Sequence, residues 1–451
     1  MIKKIALSLL VTSVLMAQNS TTNSNENKNL EQQIKQLQKE LASFKKEQSE
    51  TNEALLEEVS NSSSSGSILE SEYKSFSSMG EAASKVYHTD NFVSIGGYGE
   101  YKFKKYSAFK NYSSATANET QNKAEFNIVR FVPYIGFKFN DWIVMNTEIE
   151  FEDGGSRSDN TKNYKYAIVE FSYLDFLIDE KFAVRVGHIL VPFGMTNLNH
   201  EPVAYLTTER PRVETFIIPS TWHTNGLLTH GKVDSFEYYA GIITSPDAGA
   251  FTEGRYIQQG RLGARQFTDD MSMVLRGSYD MGSGINVGSS FLYGKSSVLE
   301  ESRPGIGLTT ANSSKVDITM LEVHGSYKNS GFDVKALASY GGLSGDVSTL
   351  PNPNISESVN GQYLTVGYDV LNSMSTTHQV FVVGDIERLD MDATNKTTNP
   401  DNNKFLEYST GLAYFPDPKV VLKADYTIKD YASGANFADE QSFTMQAGFI
   451  F

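Results

Sequence analysis

Every second residue at the end of the chain is apolar. Phe443, Met445, Ala447, Phe449 and Phe451 share one parity, Ser442, Thr444, Gln446 and Gly448 the other, and only Ile450 breaks the pattern. A period of two puts alternate side chains on opposite faces of a strand, one apolar and one polar. The same code recurs upstream. Ile143, Met145, Ile149 and Phe151 oppose Asn146, Glu148 and Glu150. Leu406, Tyr408, Leu412 and Tyr414 oppose Glu407, Ser409 and Gly411, and Leu422, Tyr426 and Ile428 oppose Lys423, Asp425 and Lys429. From Phe92 onward this reading gives sixteen strands, the first at 92–106 and the last at 441–451.

The connections alternate too. Tight turns at Asn140-Asp141, Ile178-Asp179-Glu180, Val233-Asp234, Met281 to Gly284, Asn329-Ser330-Gly331 and Pro416-Asp417-Pro418 are separated by long loops, with Leu371 to Thr377 the least tight. Short turns on one rim and long loops on the other are the habit of an up-and-down barrel in a membrane. Only 39% of residues are hydrophobic, yet Tyr and Phe number 24 and 27 and Gly 35, which suits alternating strands. Lys or Arg at mid-depth on the lipid side costs about 2–4 kcal/mol, so the charged parity must face inward. The expected fold is all-β: a 16-stranded antiparallel transmembrane β-barrel over 92–451, enclosing an aqueous lumen. An even strand count leaves both ends of this body on the periplasmic side.

Residues 1–17 have the layout of a signal peptide: Lys3-Lys4, an apolar run to Met16, then Ala17. That run is shorter than the about 20 residues of a membrane-spanning helix. Residues 18–29 are polar and read as disordered. In 30–60, Leu30, Ile34, Leu37, Leu41, Phe44 and Leu55 fall in a heptad register among Glu, Lys and Gln. The choice there is between a periplasmic coiled-coil helix and a lone amphipathic helix, and the lack of any docking face favours the coil. Residues 61–91, opening on the Ser-rich run Asn61 to Ser67, read as linker. There is no Cys, so disulfides and thiolate metal sites are excluded. Loss of Lys3 and Lys4 with the signal segment takes the net charge from −15 to −17, which argues against nucleic acid as a partner.

The connection Leu190 to Trp222 is the longest well-defined insertion. It carries Val191-Pro192-Phe193-Gly194, His200-Glu201-Pro202, Glu209-Arg210-Pro211-Arg212, Glu214 and Pro219. Long ordered loops in compact proteins are usually functional. It reads as a loop folded into the lumen; the rival is an external flap.

The segment Val186 to Gly194, then Glu209-Arg210-Pro211, then Asn225-Gly226-Leu227 with Gly231, resembles the strand-loop-strand core of the phosphate-selective porin O and P family. The resemblance is strongest over about 180–245. It implies a trimeric sixteen-stranded outer-membrane channel whose third loop narrows the pore. Dicarboxylate channels related to that family also carry an amino-terminal coiled coil. The constriction is then expected to involve Glu209, Arg210, Arg212 and Glu214 from the loop, with Arg130, Arg185 and Arg276 from the wall. Arg is suited to phosphate or carboxylate. No regular basic ladder is evident, because Glu100, Glu148, Glu150, Glu170, Glu237, Glu322 and Glu407 share the inner parity.

Other chemistry is weakly signalled. The seven His show no paired ligand spacing, although His188, His200, His223 and His230 have the opportunity to converge. No GxSxG or Walker loop is present. Asp390, Asp392 and Thr394, with Asp401 beyond, faintly suggest a calcium loop, but Asn395 stands where Gly is needed. No cofactor is expected. The functional expectation is a homotrimeric porin of the outer membrane, embedded in its lipid and passing small ions and hydrophilic solutes, with an anion preference. The rivals are a surface adhesion or structural barrel with a plugged lumen, and a barrel enzyme acting on lipid.

Overall fold

The computed structural model describes residues 74–108, 124–154, 167–261, 270–298, 314–436 and 439–451, and seven separate positions between 35 and 46. Those seven (Lys35, Gln36, Gln38, Lys39, Ala42, Ser43 and Lys46) are helical and exposed. The apolar seam of the expected coiled coil, the signal segment 1–17 and the stretch 18–29 lie outside the described residues. No described helix is long and apolar enough to cross a membrane.

The strands are β1 (Val93–Ala108), β2 (Ala124–Asn140), β3 (Ile143–Glu152), β4 (Ala167–Asp179), β5 (Phe182–Leu190), β6 (His223–Val233), β7 (Phe236–Thr244) and β8 (Met271–Gly282). They continue as β9 (Ile285–Ser297), β10 (Lys315–Asn329), β11 (Phe332–Gly345), β12 (Ser358–Asp369), β13 (Gln379–Asp390), β14 (Lys404–Asp417), β15 (Val420–Tyr431) and β16 (Glu440–Ile450). Each pairs antiparallel with its sequence neighbours, and β1 closes on β16 with Tyr98 opposite Ile450 and Glu100 opposite Gly448. Closure leaves no edge with unpaired backbone groups, as hydrocarbon demands.

Parity assigns the faces as the sequence implied. Leu275, Val323, Leu364, Val382, Leu412, Leu422 and Met445 are exposed on the outside, whereas Glu148, Arg276, Glu322, Glu387, Glu407, Lys423 and Thr444 are buried inside. Outward Phe139, Trp142, Phe182, Phe236 and Phe332 sit beside the short turns as an aromatic girdle. The β10–β11 hairpin turns on Ser330 and Gly331, both at positive φ (52° and 83°), the backbone of a type I′ turn. At the seam, Gly99 lies opposite Phe449, and a Cβ there would meet the ring at 2.7 Å. The terminal Phe451 exchanges backbone hydrogen bonds with Gly97, 2.9 Å each way.

An arginine on the outer belt tests the assignment of faces. Leu412 lies mid-strand, 51% exposed. Leu412→Arg should lower folding stability by about 2–4 kcal/mol in vesicles, well beyond Leu412→Ala, when both are compared by denaturant titration.

Two expectations need correction. Residues 74–91, read as the end of a linker, are packed chain. Helix α1 (Lys85–His88) and the turn before it bury Met79, Ala82, Ala83 and Val86. Tyr87 donates to Asp175 of β4 (2.7 Å), and Tyr239 of β7 donates to the Ser77 carbonyl (2.6 Å). The second correction concerns the lumen, which is far fuller than a simple aqueous bore. One buried apolar cluster joins Met79 and Ala83 to Phe193, Ile217 and Trp222 of the 190–222 connection. It continues into Phe251 and Ile257 after β7 and Val347 and Leu350 after β11. Alternation reports which way a wall residue points but not what occupies the space it points into.

Candidate functional site: a loop held across the lumen

The chain between β5 and β6 builds its own small core. Asn197, fully buried, donates to the Val191 and Trp222 carbonyls (2.7 and 2.9 Å) and accepts from Trp222 N (2.6 Å), stapling the two ends together. The Glu214 carboxylate accepts from Met195 N (2.8 Å), Thr196 N (2.7 Å), Thr196 Oγ1 (2.9 Å) and, across the barrel, the β12 hydroxyl of Tyr363 (2.6 Å). Gly194, at φ 75°, permits this approach: a Cβ there would lie 2.5 Å from Glu214 Oε2.

Further bonds carry the loop to the walls. Thr208 donates through N and Oγ1 to Asp425 of β15 (2.7 and 2.8 Å), and Lys423 donates to the Thr207 carbonyl (3.0 Å). Arg212 Nε meets Glu407 of β14 at 3.0 Å, and Val213 N donates to Glu387 of β13 at 3.0 Å. Glu209 lies 3.2 Å from both Lys102 and Lys104 of β1. Burial disfavours its charge, but those lysines and Arg212 hold its carboxyl well below the usual carboxylate range. On the other side, Arg130 of β2 donates to the His200 carbonyl (3.0 Å), and His200 Nε2 lies 3.3 and 3.4 Å from Glu148 of β3 and Glu170 of β4. Burial opposes a charge on His200, yet the two carboxylates outweigh it and hold the imidazole up at about 9. Glu201 accepts from Ala82 N and Ala83 N (3.2 and 3.0 Å), tying the loop to the packed segment 74–91, the plug, and burial pushes it up to about 7.

The expected site residues therefore divide. Glu209, Arg210 and Arg212 lie on the part of the loop that faces the walls. Arg210 donates to Ser220 Oγ (3.2 Å) and, among the described residues, makes no ion pair. Glu214 is a correction: its oxygens are taken by the loop and Tyr363, so it is a buried pin. Arg130 is held by Glu100 (2.8 Å) and the His200 carbonyl. Arg185 is likewise corrected, being held by Asp175 (2.7 Å) and stacked over Tyr173, with Tyr87 of the plug beside it. Arg276 donates to the Gly194 carbonyl (3.3 Å) and to Ser78 Oγ (3.2 Å).

Sequence reading passed over the inner lysines Lys102, Lys104 and Lys335. It placed Lys423 and Lys429 on the inward parity of β15 but not among the site residues. The plug was also legible, since Met79, Ala82, Ala83 and Val86 have helical spacing. Lys335 borders both of two adjoining cavities between the loop and the β10–β14 wall, about 280 and 50 Å³. The suggested histidine convergence is partial: His188 Nε2 and His223 Nδ1 lie 2.7 Å apart, whereas His230 meets Asp175. The faint calcium loop is a self-satisfied turn, in which Asp392 accepts from Lys396 N, Thr397 N and Thr397 Oγ1 (2.9, 2.9 and 2.6 Å).

No protein-family model matches the sequence. An uncharacterized protein of Aquifex aeolicus (strain VF5) is 30% identical over 386 residues, covering 81% of this chain and 82% of that one. This chain belongs to that protein's family. Among solved structures, an anion-selective porin from Comamonas acidovorans superposes with a TM-score of 0.52 at 12% identity, covering 80% of this chain and 99% of that one. The outer membrane channel DcaP of Acinetobacter baumannii gives 0.51 at 13% identity, covering 80% and 97%. At these identities the likeness is one of fold: a sixteen-stranded barrel of porin type.

Proposed function

We propose that this protein is an outer-membrane diffusion channel for small hydrophilic solutes, non-enzymatic and homotrimeric, with an anion-preferring constriction. The observation that carries this reading is the loop pinned from β1 to β15 inside a closed barrel with an apolar exterior. It leaves a polar gap along β10–β14 that Lys335 borders, and on the β1 side of the loop Arg210 makes no ion pair among the described residues. A permanently charged guanidinium beside a narrowed path favours anions. The fold shared with an anion-selective porin and with DcaP supports the same class. So does the resemblance of 180–245 to the phosphate-selective porin O and P family, with phosphate itself as one member of the anion class.

Reversal potential in a salt gradient tests this. The parent channel should prefer anions, and Arg210→Ala should move the potential toward cations with little loss of stability, because only the Ser220 contact goes. An unchanged potential in a folded barrel would remove Arg210 from the path.

The apolar cluster inside the barrel supports a second reading, a structural or adhesive barrel with a closed lumen. That reading requires no conductance at all. A lipid-acting enzyme has one place to be tested: Ser77 Oγ lies 3.0 Å from His230 Nδ1, whose Nε2 lies 2.9 Å from Asp175, with Arg185 also holding that aspartate. Lipid hydrolysis abolished by Ser77→Ala would establish it, and no turnover by the parent would dismiss it.

A further inference from the structure

We propose that Glu148, Glu170 and His200 form a binding site for a divalent transition-metal ion, of which zinc is the type, that clamps the inward loop to the β3–β4 wall. All three side chains are fully buried or nearly so, and among the described residues they are the one group of His and acidic donors close enough to share an ion.

Three observations lead there. The first is the ring orientation of His200. Its Nδ1 lies 3.1 Å from the Asn197 carbonyl, which can only accept, so Nδ1 carries a hydrogen. Metal-bound histidines characteristically donate their other ring N–H to a carbonyl or carboxylate in this way. Nε2 is thereby turned toward two carboxylates, where it carries either a proton or a metal ion. The second is unmet hydrogen-bonding capacity. Glu148 Oε1 is met by the Tyr98 hydroxyl (3.3 Å) and Glu170 Oε1 by Thr221 Oγ1 (2.6 Å), which orients both groups. Glu148 Oε1 also faces His200 Nε2 (3.3 Å), while Glu148 Oε2 is buried with no hydrogen-bond partner and Glu170 Oε2 has only His200 Nε2 near it, at 3.4 Å. Buried polar atoms normally find a partner, and an orphan calls for an explanation such as an ion. The third is spacing. Nitrogen and oxygen ligands about 2.0–2.2 Å from a tetrahedral ion lie roughly 3.3–3.5 Å from one another. His200 Nε2 stands 3.3 and 3.4 Å from the two carboxylates.

Charge agrees. Glu150 is also buried on this face of β3, and Glu100 is answered by Arg130, Lys102 and Lys423. Among the described residues, Arg130 and Arg261 are the cations facing Glu148, Glu150 and Glu170 besides His200, which leaves carboxylates in excess when His200 is neutral. A divalent ion offsets the surplus. One imidazole with carboxylates suits zinc or a similar ion better than calcium, and Cys is absent. Water or Glu150 would complete the coordination.

The competing occupant is a proton on Nε2, and the experiment separates the two. The full-length protein, refolded in detergent and stripped with chelator, is titrated with zinc alone at neutral pH, and bound metal is counted by mass spectrometry. The expected result is one zinc per chain and an absorption-edge spectrum showing oxygen and nitrogen ligands with one imidazole. Glu148→Gln with Glu170→Gln should weaken binding at least about 100-fold, whereas His188→Gln with His223→Gln should leave it intact. No stoichiometric zinc in the parent would overturn the proposal whatever the variants do. Loss confined to the His188/His223 variant would overturn it too. Binding is read without conductance, so a silent barrel that takes up zinc would refute the channel reading and leave this one standing.

Discussion

Replacing Arg212 by alanine should loosen the inward loop, widen the pore and turn its preference toward cations. Glu387 and Glu407 stand directly opposite each other on β13 and β14, and like charges at paired positions repel. Arg212 Nε binds Glu407 at 3.0 Å, and the next residue's N–H binds Glu387. One loop turn thus supplies the cation and the amide that make this pair of carboxylates tolerable. Breaking a buried pair from one side costs about 3–5 kcal/mol. Arg212 is 21% exposed, which puts the loss near the lower end of that range. The channel should become larger and noisier, and the 207–213 segment should become sensitive to protease. Arg212→Lys keeps the charge but not the planar donors, and should recover only part of the effect. Unchanged conductance in a folded Arg212→Ala barrel would show that this contact does not hold the loop.

Glu214→Ala should be more damaging still. Its carboxylate answers two backbone amides and two hydroxyls, all in the interior. Each buried donor left without an acceptor costs about 1–3 kcal/mol, so the loop is expected to lose its fold rather than merely shift. The chain holds two tryptophans, Trp142 exposed on the rim and Trp222 buried at the loop's end. With Trp142→Phe as background, Trp222 fluorescence should red-shift in Glu214→Ala while the strand signal in circular dichroism persists. Glu214→Gln retains one acceptor oxygen and should fall between. An unshifted Trp222 would mean that the loop core stands without this carboxylate.

The barrel was legible because its cause is written at every second residue. Lipid outside and polar groups inside leave a period of two, and Leu412 beside Gly411 or Met445 beside Thr444 reads the same in sequence and in space. Turn chemistry at Ser330-Gly331 fixed the short rim. The loop was legible as an interruption: thirty-odd residues with Pro and Arg where a tight turn or plain loop belonged. Its partners were not. Arg212 with Glu407 and Thr208 with Asp425 join positions about two hundred residues apart, and no local periodicity encodes such a pair. Arg185 and Arg276 looked alike as inward bases, yet one is spent on Asp175 and the other is shared among the Gly194 carbonyl, Ser78 and a longer contact to Glu237 (3.8 Å). The helical spacing of Met79, Ala82, Ala83 and Val86 was present but lay beyond a Ser-rich run, whose composition argued for a linker.

Single-channel recording of the refolded mature chain in planar bilayers bears most directly on the central claim, that a loop held inside a membrane barrel leaves a selective path for solute. Steady ohmic steps are predicted, small because plug and loop occupy much of the bore, with an anion-preferring reversal potential in a salt gradient. Bilayers that stay silent after verified insertion of the folded barrel would contradict the account.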